Sequence, residues 1–280
     1  MTNNAQIILD HISFSYSEAT EKSHFLLNEF YLNVKKGEYI TIAGANGSGK
    51  TTLASMIKGL ITPTSGEIYY NGKKVTDCGM NSEIGYIFSN AENQIVSPVV
   101  EDDVAFGLEN SGFNRQDMKG VVLSSLDKVD ALNLQKELTH LLSGGEQQKV
   151  NIAGILALEC KCIIFDEASS MLDPLSRRAL LRLLKELNKQ YKITIIQITH
   201  NLFELLNSDR VIYLYSGQIL FDGKSEVFIN NKSSCYSFGE KQRLLIEFIQ
   251  KLEKITKDCS FYGWDLEDLV SHLSGLAEKK

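Results

Sequence analysis

Proline is scarce in this chain: Pro63, Pro98 and Pro174 are the three in 280 residues. No Ser/Gly/Pro-rich tract, internal repeat or low-complexity segment separates one stretch from another, so one or two continuously folded domains are expected. Cysteine is sparse and odd in number. Cys78, Cys160, Cys162, Cys235 and Cys259 show no paired C-x-x-C spacing, which argues against both a structural zinc site and a disulfide framework and fits a reducing compartment. Basic residues are outnumbered, with Lys+Arg 29 against Asp+Glu 35 and a net charge of −6. That is the wrong sign for gripping a phosphodiester backbone over a broad face, so no nucleic-acid partner is expected. No apolar run approaches the ~18 residues of a membrane span, because Glu159 and Lys161 interrupt even Gly154–Phe165. The opening residues carry neither a basic segment nor an apolar stretch, so no secretory leader is expected, and any membrane role must pass through a partner.

What is present is an ordinary globular composition, 43% hydrophobic and 23% charged, able to bury a core without disulfides or metal. β-Branched and aromatic runs predict strands at Ile7–Tyr16, Phe25–Val34, Tyr39–Ala43, Glu67–Tyr70, Ile84–Phe88, Cys162–Phe165, Ile193–Ile198, Arg210–Tyr215 and Gln218–Phe221. The early strands look antiparallel. Helices then alternate with buried strands, opening at Lys50, at Glu146 and after Asp173-Pro174, where Asp is an N-cap and Pro suits the first turn. This predicts an α/β fold: a mostly parallel sheet plus an antiparallel β subdomain. A stretch over about 95–145 has no clear strand and reads as an inserted helical subdomain, which we bound at about 95–160 within a domain spanning 1–224. Over 225–280 the pattern changes to a helical extension, with Leu244, Leu245, Phe248, Ile249, Leu252 and Ile255 on one face and a short helix from Asp265. That extension either packs on its own core or makes a subunit contact.

The chemistry is concentrated in four places. Gly44, Ala45, Asn46, Gly47, Ser48, Gly49, Lys50 and Thr51 follow a strand and open a helix, the context of a phosphate loop. Its backbone N–H groups and helix N-terminus suit an anion, Lys50 suits the β/γ-phosphates of ATP, and the Thr51 hydroxyl suits Mg²⁺. Cys162–Glu167 is an apolar strand ending in two carboxylates. Asp166 is suited to holding Mg²⁺ and Glu167 to polarising the attacking water. Ser143, Gly144 and Gly145 introduce a helix about twenty residues earlier, so Ser143 as N-cap offers bare amides to a second anion, or the segment is simply a loop. His200 ends another strand, where an imidazole could sense a γ-phosphate or could equally be structural.

The order of these motifs over nearly all of residues 7–225 resembles the ATP-binding subunit of ATP-binding cassette (ABC) transporters. The resemblance implies a P-loop ABC ATPase core in which Gly44–Thr52 is the Walker A motif, Thr52 included. It makes Ser143–Glu146 the signature motif, Cys162–Glu167 the Walker B strand, Ser170–Asp173 the D-loop with Asp173 near nucleotide, and His200 the switch histidine. Tyr16 sits where the family stacks an aromatic on adenine. Within that family, Asn90–Asn110 and the stretch from Ala168 to Pro174 look like the ATPases of energy-coupling factor (ECF) transporters. That implies a Mg²⁺-dependent ATPase on the cytoplasmic face of the cell membrane, driving uptake of a vitamin or transition-metal ion. Its partners would be a second ABC ATPase, identical or different, which the 225–280 extension would join, a transmembrane coupling protein and a membrane substrate-binding subunit. Glu101, Asp102 and Asp103 would receive basic residues of the coupling protein, or form a solvated acidic turn. One departure stands out: where the family has Phe-Gln, with the glutamine on Mg²⁺ and the lytic water, this chain has Phe88-Ser89. Ser89 keeps an oxygen for the metal but loses reach. The alternatives are an ATPase of another ABC transporter type, or a hydrolysis-impaired cassette that binds ATP as a regulator. A soluble ABC ATPase of repair or translation would need a coiled-coil insertion, tandem cassettes or a basic surface, none of which the sequence has.

Overall fold

The computed structural model describes residues 5–16, 26–75 and 81–230, together with Glu247 and Lys251. Strands β1 (Ala5–Phe14), β2 (Leu27–Lys35), β4 (Ser65–Tyr70) and the two-residue β5 (Lys73–Lys74) form an antiparallel sheet in the order β2-β1-β4-β5. The second sheet contains β3 (Tyr39–Gly44), β6 (Ile84–Ile87), β7 (Cys162–Asp166), β8 (Thr194–Ile198), β9 (Arg210–Tyr215) and β10 (Gln218–Gly223). Its order is β10-β9-β3-β8-β7-β6, parallel throughout except for the β9–β10 hairpin.

Every residue of β3, β6, β7 and β8 is buried, as continuous apolar runs in a sheet covered on both faces should be. Because side chains alternate along a strand, the two faces serve two cores. Ile40, Ile42, Ile164, Ile196 and Ile198 pack with α1 (Lys50–Lys58) and the antiparallel sheet. Tyr39, Ile163, Phe165 and Ile195 pack with α2 (Val100–Asn110), α3 (Arg115–Lys128), α4 (Gly144–Ala157) and α5 (Pro174–Tyr191). Between β6 and α4 the described chain is helical, α2 and α3 being followed by short 3-10 turns at Leu132–Leu134 and Thr139–Leu141, with an isolated bridge between Val99 and Leu138. The small α6 (Leu202–Leu205) follows β8, and α7 (Ser225–Asn230) follows the β9–β10 hairpin.

Several expected boundaries shift for local reasons. The helix expected at Glu146 opens at Gly144, because Ser143 is its N-cap and builds a full capping box with Glu146. β1 ends at Phe14, short of Tyr16, which lies in a bend. The strand expected from Phe25 starts at Leu27 among the described residues. The apolar face over Leu244–Ile255 and the helix from Asp265 lie outside the described residues, apart from Glu247 and Lys251, both helical.

Candidate nucleotide site

Strand register builds the site. Ile42 of β3 stands beside Ile198 of β8, which stands beside Asp166 of β7. Three loops therefore leave one sheet edge abreast: the phosphate loop after β3, Glu167 after β7 and His200 after β8. Backbone bonds stitch that edge, with Glu167 N donating to Ile198 O at 3.1 Å and Thr199 N to Ile42 O at 3.3 Å. Ligands of open α/β sheets bind at such carboxyl ends.

Gly44 has φ +155, and a Cβ there would lie 2.3 Å from Leu214 O and 2.8 Å from Ser48 Oγ, so the loop can leave β3 in this way only as glycine. Gly47 and Gly49 also have positive φ, and Asn46 and Gly47 are exposed at the loop's tip. Lys50 is buried and donates to Gly44 O at 3.0 Å and Ala45 O at 2.9 Å. Burial holds its ammonium below the ordinary lysine range, while the charges of Glu167 and Asp166 pull the other way. Ser48 Oγ is buried without a hydrogen-bond partner. An orphaned hydroxyl beside a ring of amides is chemistry suited to a phosphate oxygen. Thr52 is buried, and its Oγ1 lies 2.8 Å from the Tyr16 hydroxyl. Tyr16 is 73% exposed, its ring edge-on to Phe14 at 4.8 Å, which leaves it open to solvent beside the first turn of α1.

Asp166 receives Thr51 Oγ1 on Oδ1 at 3.2 Å and the Tyr86 hydroxyl on Oδ2 at 2.8 Å. Burial raises its carboxyl above the usual range, the two hydroxyl bonds opposing that shift. Among the described residues no cluster of three His, Cys, Asp or Glu could hold a metal alone. A Thr hydroxyl beside one carboxylate nevertheless fits Mg²⁺, which takes one or two protein oxygens and completes its shell with phosphate and water. Glu167 adopts φ +50, a left-handed conformation unusual for a non-glycine residue, and its Oε1 lies 3.5 Å from His200 Nδ1. Both side chains reach a cavity of about 370 Å³.

Ser89 lies two residues beyond β6, partly buried. Gln94 does not extend its reach: Gln94 Oε1 accepts from Phe88 N at 3.2 Å and its Nε2 donates to Tyr86 O at 3.0 Å. Ser143, Gly144 and Gly145 stand at the start of α4, next to α5. Gly145 is required by this approach, since a Cβ would meet Ser176 Oγ at 2.8 Å. Asp173 caps α5, accepting from Leu175 N at 2.9 Å and Ser176 N at 3.0 Å. The start of α4 and the start of α5 thus share one cavity of about 240 Å³, and among the described residues no hydrogen bond joins Ser143–Gly145 to the phosphate loop.

The acidic triplet forms the first turn of α2. Glu101 is engaged inside the chain by Lys136 and by Gln135 Nε2 at 2.5 Å. Asp103 is occupied by the amides of Val96 and Ser97 at 2.7 and 2.9 Å. Asp102 alone of the three is exposed. Tyr86, Gln94, Arg177 and Glu204 were not among the expected site residues, and no local spacing marks them.

A family model described as ABC transporter matches residues 27–170. The chain is 38% identical over 278 residues to the energy-coupling factor transporter ATP-binding protein EcfA1 of Clostridium novyi (strain NT), covering 98% of this chain and 99% of that protein. It is 43% identical to the protein of the same name from Ligilactobacillus salivarius (strain UCC118), covering 82% of each. Among solved structures it resembles CbiO1 from Clostridium perfringens, part of the ABC transporter complex CbiONQ, with a TM-score of 0.77 and 29% identity over 90% of this chain and all of that one. It also resembles a dimeric post-hydrolysis state of the ATP-binding cassette MJ0796 bound to ADP and Pi, with a TM-score of 0.67 and 28% identity over 78% of this chain and 98% of that one.

Proposed function

Since this chain belongs to the ABC transporter family, among the ATP-binding proteins of energy-coupling factor transporters, we propose that it hydrolyses Mg-ATP at the edge built by β3, β7 and β8, driving uptake of a vitamin or transition-metal ion. The observation that carries this reading is the register that sets Lys50, Asp166, Glu167 and His200 abreast, with Glu167 and His200 3.5 Å apart.

Lys50 moves from the carbonyls of Gly44 and Ala45 to the β/γ-phosphates, and the amides of Gly47, Ser48 and Gly49 close around the same oxygens. Tyr16 offers its exposed ring to adenine. Thr51 and Asp166 would hold Mg²⁺, with Ser89 acting through an interposed water, and the ion would neutralise charge developing on the phosphates. Glu167 accepts a proton from water as the water oxygen bonds to the γ-phosphorus. The bond to the bridging oxygen breaks, ADP leaves with that electron pair, and His200 donates a hydrogen bond to the γ-phosphate.

Ser143–Gly145 share a cavity with the start of α5 and, among the described residues, make no hydrogen bond to the phosphate loop, and we assign them, with Asp173, to nucleotide held by a second ATPase subunit. The dimeric MJ0796 cassette and the CbiONQ complex support that arrangement. Among the described residues no helix is long and apolar enough to cross a membrane. From its likeness to energy-coupling factor ATP-binding proteins we place the chain on the cytoplasmic face through a transmembrane coupling protein that works with a substrate-binding membrane subunit, and assign the 225–280 extension to ATPase–ATPase contact. The test is Glu167→Gln in the purified complex. ATP should still bind while most turnover is lost, because geometry remains and water polarisation does not; turnover near that of the unaltered protein would sink the assignment.

A further inference from the structure

Behind the Glu167–His200 pair lies a buried carboxylate that the proposed chemistry does not use. Glu204, on α6, is 1% exposed. Its Oε1 accepts from Ser169 Oγ at 2.5 Å, and its Oε2 accepts from Gln197 Nε2 at 2.8 Å. Gln197 in turn accepts the Tyr39 hydroxyl through Oε1. Arg177 Nε stands 3.9 Å from Glu204 Oε1 and also donates to Ser169 O at 3.3 Å, while its second guanidinium arm donates to Leu172 O at 3.2 Å.

A carboxylate taken this far from water needs its lone pairs filled, and here the partners come from the loop after β7, from β8 and from the start of α5. Ser169 lies two residues after Glu167. Gln197 lies three residues before His200, and Glu204 four residues after it. Arg177 comes from the first turns of α5, just past Asp173. One carboxylate therefore ties the loop carrying Glu167 to both sides of the segment carrying His200, and its guanidinium partner ties that loop to the start of α5.

We propose that Glu204, with Ser169 and Arg177, is a positioning unit that fixes the spacing between Glu167 and His200. All three line the cavity that Glu167 and His200 reach, and they act through the loops they join. The inference rests on the reading of Glu167 and His200 as the hydrolytic pair.

Ser169→Ala removes the tether and leaves the Arg177–Glu204 ion pair intact, whereas Glu204→Gln removes the charge opposite Arg177. In the purified transporter complex kcat per ATP-binding site, with sites counted by nucleotide titration, should fall by up to about 100-fold in each variant with the ATP KM unchanged; counting sites removes the contribution of any loss of folded protein. In single-turnover hydrolysis, Ser169→Ala combined with His200→Ala should be no slower than His200→Ala alone, because both act on one geometry. An unaltered kcat in Ser169→Ala, or losses that multiply in the double variant, would overturn the inference. If Glu204→Gln does not fold, Ser169→Ala and its double variant decide the matter. Glu167→Gln assayed alongside separates the two readings: its retention of turnover defeats the hydrolytic assignment, while an inactive Glu167→Gln beside a normal Ser169→Ala defeats only the positioning unit.

Discussion

Ser89 is where a single side chain decides most. Gln94 spends both ends of its amide on the backbone at Tyr86 and Phe88, and Gln148 Nε2 donates to Phe88 O at 3.2 Å, so the segment is pinned while its one hydroxyl stays short. Ser89→Gln should therefore speed single-turnover hydrolysis and lower the Mg²⁺ needed, by about 10–100-fold, the range for a contact that orients a metal's ligands. ATP binding should hold, since Lys50 and the loop amides supply that grip. A Mg²⁺ titration of single-turnover rates checks it; an unchanged profile would mean that Ser89 already suffices. The placement of Lys50, Thr51, Asp166 and Glu167 at strand ends was readable in the sequence because each sits in a contiguous strand-to-loop motif. Glu204 was not, because its bond to Ser169 spans 35 residues and a glutamate on a four-residue helix carries no periodic signal.

Among the elements, buried strands were readable from their apolar runs, whereas β5 with two residues and α6 with four are too short to show a period. The opening of α4 turned on a cap rather than on hydrophobicity. Glu146 is held below its ordinary value of 4.5, first by the Ser143 hydroxyl and then by the Ser143 amide. With its folded pKa lowered, the stability it contributes is complete above the ordinary glutamate range and is lost as pH falls through the folded value. Glu146→Gln keeps a capping box without the charge. Its melting temperature should lie below that of the unaltered chain near neutral pH, and the gap should close as pH falls through the folded glutamate value. A gap independent of pH would show that the charge contributes nothing.

For the whole molecule, alternation of strand and helix pointed to a mostly parallel sheet, but strand order was not readable. Pairings such as β3 with β8 join segments more than 150 residues apart, and register between such partners leaves no local trace. The acidic triplet shows the same limit, because the partners that occupy Glu101 come from the turn at 135–136. The proposed docking through this patch then falls to Asp102, the exposed residue of the three. Asp102→Lys should weaken recovery of the complex with its membrane partner, with the remaining binding less sensitive to salt, while Glu101→Gln leaves it intact. Pull-down across a salt series distinguishes these outcomes.

The left-handed backbone at Glu167 has a consequence for heredity as much as for chemistry. A non-glycine residue held at φ +50 carries conformational strain of about 1–3 kcal/mol, and glycine would relieve it. Glu167→Gly should raise the melting temperature of the nucleotide-free chain while abolishing hydrolysis, as a thermal melt beside an ATPase assay would show. Mutational drift judged by folding alone would erode this glutamate. Its presence in a working copy would then be upheld by selection on turnover, with a more robust fold always one substitution away.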